Sequence, residues 1–270
     1  MNKNIDNITN LNERSQMTNL QDKKKSQEAV IDVFGLTKRY KDFIALDNLN
    51  LQVNKGEIFG FLGHNGAGKT TTVNILTTLL SPSEGSARIC GFDIQKNSMD
   101  VRKKIGYLPE NVKFYENLTA YENLSFFAKL SGIQNPKVKI FEVLDYLEFR
   151  GVENKKIGEF SKGMKQRIGI AQAIMHDPEI LFLDEPASGL DPSGVKKLRE
   201  VILNLNREKH ITILMNTHLL SEVSRTCSTI GILSHGSLIY KDSLENTLSK
   251  FKDETTLEDI FLNIGNWSTK

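Results

Sequence analysis

Gly63-His64-Asn65-Gly66-Ala67-Gly68-Lys69-Thr70 is the stretch on which the reading of this 270-residue chain turns. It fits GxxxxGK[ST], and it joins the apolar run Glu57 to Leu62, expected as a buried strand, to a helix expected from about Lys69 to Leu80. Glycines at these positions let the backbone wrap phosphates with its N–H groups turned inward. The N-terminus of the following helix adds about half a positive charge toward them. Lys69 is then placed to bridge β and γ phosphates, and the Thr70 hydroxyl to ligate Mg²⁺. Residue frequencies alone give about 0.01 such matches in a chain of this length, so a functionless glycine loop is set aside.

A second stretch, Ile180-Leu-Phe-Leu183-Asp184-Glu185-Pro186, reads as a strand buried on both faces that ends in two carboxylates. Open α/β sheets bind ligands at that end of their strands. Alone, the acidic pair would be an ordinary turn. Beside a phosphate loop, Asp184 is expected to hold Mg²⁺ and Glu185 to polarise the water that attacks a γ-phosphate.

Around these motifs, short β-branched runs alternate with helical patterns, which predicts an α/β fold with a largely parallel sheet. The runs Val30 to Phe34 and Ile44 to Val53 predict strands of an antiparallel layer. Residues from Thr119 to Arg150 are helical in pattern and predict an insertion. Beyond the acidic pair follow a helix near Val195 to Asn206 and strands at Ile211 to Met215 and Ile230 to Leu233. A tail helix then carries Leu257, Ile260, Phe261 and Ile264 on one stripe, behind a Thr255/Glu258 capping box. Residues 1–28 are polar and read as a disordered arm, 29–240 as one domain with a helical part at about 111–165, and 241–270 as a short helical tail.

Composition narrows the field further. A net charge of +2, from 35 basic and 33 acidic residues, leaves no nucleic-acid footprint. Cys90 and Cys227 stand far apart, so neither a disulfide framework nor a zinc cluster is expected. Apolar runs of four or five residues fall short of the about 20 that span a bilayer, and the amino terminus lacks a signal-like apolar stretch.

Residues 30 to 240 resemble the nucleotide-binding subunit of ABC transporters, which implies a P-loop NTPase core with a parallel sheet, an N-terminal antiparallel β layer and a helical insertion subdomain. The resemblance implies nucleotide contacts from Tyr40, stacked on adenine, and from Gly63, His64, Asn65, Gly66, Ala67, Gly68, Lys69, Thr70 and Thr71. Phe160-Ser161-Lys162-Gly163-Met164 is similar to the family signature LSGGQ, with Lys162 in place of its first glycine and Met164 in place of its glutamine. In the family this patch closes over the ATP of a second subunit; Ser161 also reads as a plain helix N-cap. Ser188-Gly189-Leu190-Asp191 resembles the dimer-contact loop, and His218 the switch histidine beside the γ-phosphate.

One departure concerns the metal. Tyr107-Leu108-Pro109-Glu110 carries glutamate where the family commonly has glutamine, leaving Glu110 open as a metal ligand, a slower sensor or a loop acid. Phe114, Tyr115 and Leu118 are open between an apolar lip for a membrane partner and a staple for the next helix.

What the resemblance implies, then, is an ATPase that dimerises, with a second copy or a related subunit, around two ATP and Mg²⁺. It would drive a separate transmembrane permease subunit from the cytoplasmic face of the membrane. The YLPE loop, the SKGM signature and the 52 residues after His218 resemble drug-export-type systems more than importers. The competing reading is a non-transport ABC ATPase acting on ribosomes or nucleic acid, which the single motif set and balanced charge disfavour. A GTPase is disfavoured by the lack of an NKxD motif.

Overall fold

The computed structural model describes residues 28–252, 254 and 256–267, with only the backbone described at 265–267. The arm read at 1–28 therefore lies outside the described residues except for Glu28, whose carbonyl accepts from the Lys55 amide at 2.8 Å.

Two strands open the fold, β1 (Ala29–Tyr40) and β2 (Phe43–Asn54), paired antiparallel through the Lys41-Asp42 turn. Both run longer than their apolar cores predict. Ladder bonds carry β1 through several register shifts to Tyr40, beyond the point where alternation ends. β4 (Glu84–Ile89) and β5 (Phe92–Asp93), not anticipated from the sequence, complete a sheet of order β2-β1-β4-β5.

The second sheet has order β10-β9-β3-β8-β7-β6. β3 (Ile58–Gly63) lies between β9 (Thr229–Ser234) and β8 (Thr212–Asn216), followed outward by β7 (Ile180–Asp184) and β6 (Ile105–Leu108). All are parallel except β10 (Ser237–Ser243), which returns antiparallel along β9. Every residue of β3, β7, β8 and β9 is buried, which is why these strands read as unbroken apolar runs.

Strand period two splits the interior. Phe59 and Phe61 point into a core shared with β1, β2, β4 and α1 (Lys69–Leu76), whereas Ile58 and Leu62 point into a core built with the remaining helices. The phosphate-loop helix α1 is thus held between the two sheets. It ends at Leu76, four residues before the predicted Leu80. Thr77 Oγ1 bonds back to the Val73 carbonyl at 2.8 Å and Thr78 adopts φ 63°, which stops the helix.

α2 (Ser98–Lys104) leads into β6, and the insertion follows as α3 (Ala120–Leu130) and α4 (Pro136–Tyr146). Thr119 and Glu122 form a full capping box on α3, and Asn135 with Pro136 starts α4. α5 (Lys162–Ile174) is capped by Ser161. α6 (Pro192–Lys209) starts earlier and ends later than its apolar stripe, because Asp191 caps it and Pro192 opens it.

Short α7 (Leu220–Thr226) and α8 (Leu244–Lys250) precede the tail helix α9 (Leu257–Trp267), whose Leu257, Ile260 and Ile264 are buried. Burial of three such side chains contributes about 1.5–3 kcal/mol each. Thr255 of the predicted Thr255/Glu258 box lies outside the described residues; among the described ones, reciprocal bonds join Asp259 N to Thr256 Oγ1 and Thr256 N to Asp259 Oδ2, both at 3.1 Å. Among the described residues no helix is long and apolar enough to cross a membrane.

Candidate functional site

Because the strands of the large sheet are parallel, the loops after β3, β6, β7 and β8 emerge on one edge. They surround a cavity of about 700 Å³ that Lys69, Thr70, Glu110, Glu185 and His218 line together. The phosphate loop needs glycine for steric reasons that can be read directly. Gly68 has φ 106°, and a Cβ there would sit 2.6 Å from the Ala45 carbonyl oxygen; Gly66 has φ 81°.

Lys69 is only 6% exposed. Its ammonium donates to the carbonyls of Gly63 at 2.6 Å and His64 at 3.1 Å, so the loop's own backbone solvates the cation. Burial lowers its pKa, while Glu185 and Asp184 pull the other way.

Asp184, 4% exposed at the end of β7, accepts from Asn216 Nδ2 at 2.5 Å across the β7–β8 pairing. Burial raises its pKa; the Asn216 bond opposes this, and Glu185 and Glu110 add to the rise. Asn216 Oδ1 is itself buried without a hydrogen-bond partner. An ionised Asp184 requires the amide's donor on its side, which leaves Oδ1 facing away from it.

Glu185 has φ 47°, a strained conformation for this residue type, held by its amide bonding to the Asn216 carbonyl at 2.8 Å. Its Oε2 meets His218 Nδ1 at 2.8 Å and accepts from Thr217 Oγ1 at 3.2 Å. Tyr40 is 46% exposed on the rim, with the Lys38 ammonium 5.2 Å from its ring centre and Phe43 lining the same cavity.

Ser161, Gly163 and Met164 do not join this site. They line a separate cavity of about 260 Å³ together with Leu190 and Asp191. Ser161 Oγ accepts from Met164 N at 3.3 Å, and Asp191 Oδ1 from Gly194 N at 3.2 Å, so both serve as helix caps. Gly189 has φ 67° and an added Cβ would lie 2.8 Å from Lys162 Nζ, which packs the signature against the Ser188–Asp191 loop. The Glu185 carbonyl accepts from Ser188 N at 3.1 Å, linking that loop to the acidic pair.

Phe114 and Tyr115 divide between their two readings. Phe114 is half-buried against the core and edge-on to Phe127 on α3, whereas Tyr115 is 54% exposed and edge-on to Phe126. Phe43, Asn216, Thr217 and Phe261 also line the nucleotide-loop cavity without having been singled out in this role by sequence. Their only sequence signal was adjacency to His218 for Asn216 and Thr217; Phe261 stood in an apolar stripe with nothing to mark it.

A glycine-rich loop between a buried parallel strand and a helix, facing two strand-end carboxylates, defines a P-loop nucleotide-binding ATPase. Residues 46–188 match the family model described as ABC transporter, and the chain belongs to that family as an ATP-binding ATPase. It is 45% identical over 210 residues to the bacitracin transport ATP-binding protein BcrA of Bacillus licheniformis, a match covering 78% of this chain and 68% of that protein. Its fold superposes on a structure of the ATP binding subunit of an ABC transporter with a TM-score of 0.78 at 28% identity, covering 87% of this chain and 99% of the other. A dimeric ATP-binding cassette in a post-hydrolysis state, bound to ADP and Pi, matches with a TM-score of 0.72 at 27% identity over 79% of this chain and 98% of that one.

Proposed function

We propose that this chain is the nucleotide-binding subunit of a drug-export-type transporter, closing as a dimer over two ATP at the cytoplasmic face of the membrane to drive a separate permease subunit. One observation carries the reading: Lys69, Glu110, Glu185 and His218 face one cavity, while the Ser161 patch faces another. A patch of helix N-terminal donors that lies away from its own chain's phosphate loop suits the ATP of a neighbouring copy. The kinship to a bacitracin transport protein supports a drug-like cargo.

In this reading Lys69 exchanges its bonds to the Gly63 and His64 carbonyls for β and γ phosphate oxygens. Tyr40 stacks on the adenine. Glu185 takes a proton from water as the water oxygen attacks the γ phosphorus and the bond to the β-bridging oxygen breaks, leaving ADP and phosphate. His218 and Thr217 hold the Glu185 carboxylate toward that water.

The donor set fits Mg²⁺. The partnerless Asn216 oxygen beside Asp184 fits a hydrated ion in the same place. Thr70 and Asp184 would hold it, with Glu110 lining the cavity, and it would neutralise charge on the phosphate oxygens.

Affinity purification from detergent-solubilised membranes tests the assignment. A polytopic membrane protein is expected to co-purify. Ribosomes without any membrane protein, together with RNA-stimulated ATPase activity, would overturn it.

A further inference from the structure

The cavity has one wall that neither strand ends nor phosphate loop supply. Phe261, on α9, lines it, with its ring centre 5.0 Å from that of His64 and the planes inclined at 60°. His64 is the loop residue whose carbonyl accepts from Lys69 Nζ at 3.1 Å and from Ala67 N at 3.1 Å. A ring on the tail helix therefore grips the same residue that cradles the phosphate-binding cation.

The helix that bears this ring is firmly seated. Leu257, Ile260 and Ile264 are at most 4% exposed, and α9 packs against α7, which begins two residues after His218. α7 is tied to α6 by an ion pair of Arg199 with Glu222 at 2.8 Å, both largely shielded. Phe261 lies at the flank of the stripe, only partly buried, and turns toward the cavity while its neighbours fill the core.

We propose that Phe261 is a positioning residue for ATP: through its contact with His64 it preorganises the phosphate loop, and α9 completes the nucleotide site within the same chain. The proposal rests on the ATP-site reading above. An aromatic pair of this geometry contributes enough to change an equilibrium about three- to tenfold. That effect falls on nucleotide affinity, because the ring meets His64 in the loop that binds phosphate, whose carbonyl holds Lys69. It also makes tail order respond to ATP, since a ligand that fixes His64 fixes the ring against it.

The test uses the full chain and ATP with Mg²⁺. Calorimetry should show F261A weakening ATP binding about three- to tenfold, with KM raised alike and kcat within about twofold of wild type. F261Y should restore affinity. H64A should match F261A, and the double variant should be no weaker than either single one, the signature of a shared contact. The exposed Leu262→Ala control should bind normally. Hydrogen exchange adds a readout that a structural role would not move: ATP should slow exchange across 257–264 in wild type and not in F261A. Should F261A fail to fold, F261L, which keeps the apolar bulk without the ring, carries the same comparison. Unchanged affinity in folded F261A or F261L, or additive losses in the double variant, overturns this proposal alone. Absence of ATP binding by wild type overturns the underlying reading as well.

Discussion

His218 places Nδ1 2.8 Å from Oε2 of Glu185, so the loop after β8 holds the carboxylate that ends β7. Thr217 bonds to the same oxygen, and the Glu185 backbone is strained at φ 47° with its amide tied to Asn216. Such a conformation persists only where its surroundings over-determine it. The carboxylate is thus aimed before any substrate arrives.

Glu185→Gln should lose at least about a hundredfold in ATP hydrolysis, the effect of removing a general base, while still binding ATP. It should accumulate as an ATP-bound dimer. Gel filtration with ATP checks this, and a persistent monomer counts against closure. His218→Ala in the Glu185→Gln background should add little further loss, since the two act as one unit.

Asp184→Asn should raise thermal stability without nucleotide by a few degrees. Asp184 has its pKa raised in the fold, chiefly by burial, so the folded chain binds this proton more tightly than the unfolded one. Stability therefore falls as pH rises from the free carboxylate's range through the elevated folded value. The amide removes that loss: its gain is absent at acid pH and grows as pH rises through the elevated folded value. Melting curves at several pH values measure it.

Asn216→Leu should weaken Mg²⁺-dependent ATP binding about tenfold, because Asp184 loses the donor that holds its carboxylate. Titration of Mg²⁺ at fixed ATP reads the effect. Binding of ATP in the presence of a chelator should change little.

Glu110→Gln should keep hydrolysis within about tenfold, as positioning rather than proton transfer is the role open to this residue. Removing its charge should also let Asp184 ionise more readily, since Glu110 contributes to the elevated Asp184 pKa. Steady-state rates across pH report both. A loss as large as that of Glu185→Gln would refute the prediction.

Phe114→Ala and Tyr115→Ala should separate. Phe114 is half-buried against the core, so its loss should lower the melting temperature, at a cost below the about 3–5 kcal/mol of removing a fully buried phenylalanine. Tyr115 is exposed beside Phe126, so its loss should spare folding and ATP binding and uncouple transport in cells carrying the permease.

The legible parts share a physical character. The phosphate loop, Asp184–Glu185 and the buried strands β3, β7, β8 and β9 are local patterns, each dictated by its own backbone needs or by burial on both faces. β4 and β6 went unread because their short runs acquire strand character only from ladders with β1 and β7. Helix ends drifted for a related reason: Thr77, Asp191 and Thr256 act through bonds that apolar periodicity does not register.

Sequence alone determined that this chain binds phosphate, because the loop's glycines and Lys69 form one contiguous segment whose chemistry needs no distant partner. Tertiary structure decided which oxygen of Glu185 is held by His218, that Asn216 serves Asp184 from the next strand, and that Phe261 leans on His64. These pairs lie 33, 32 and 197 positions apart, and only parallel strand register and the seating of the tail helix bring them within contact.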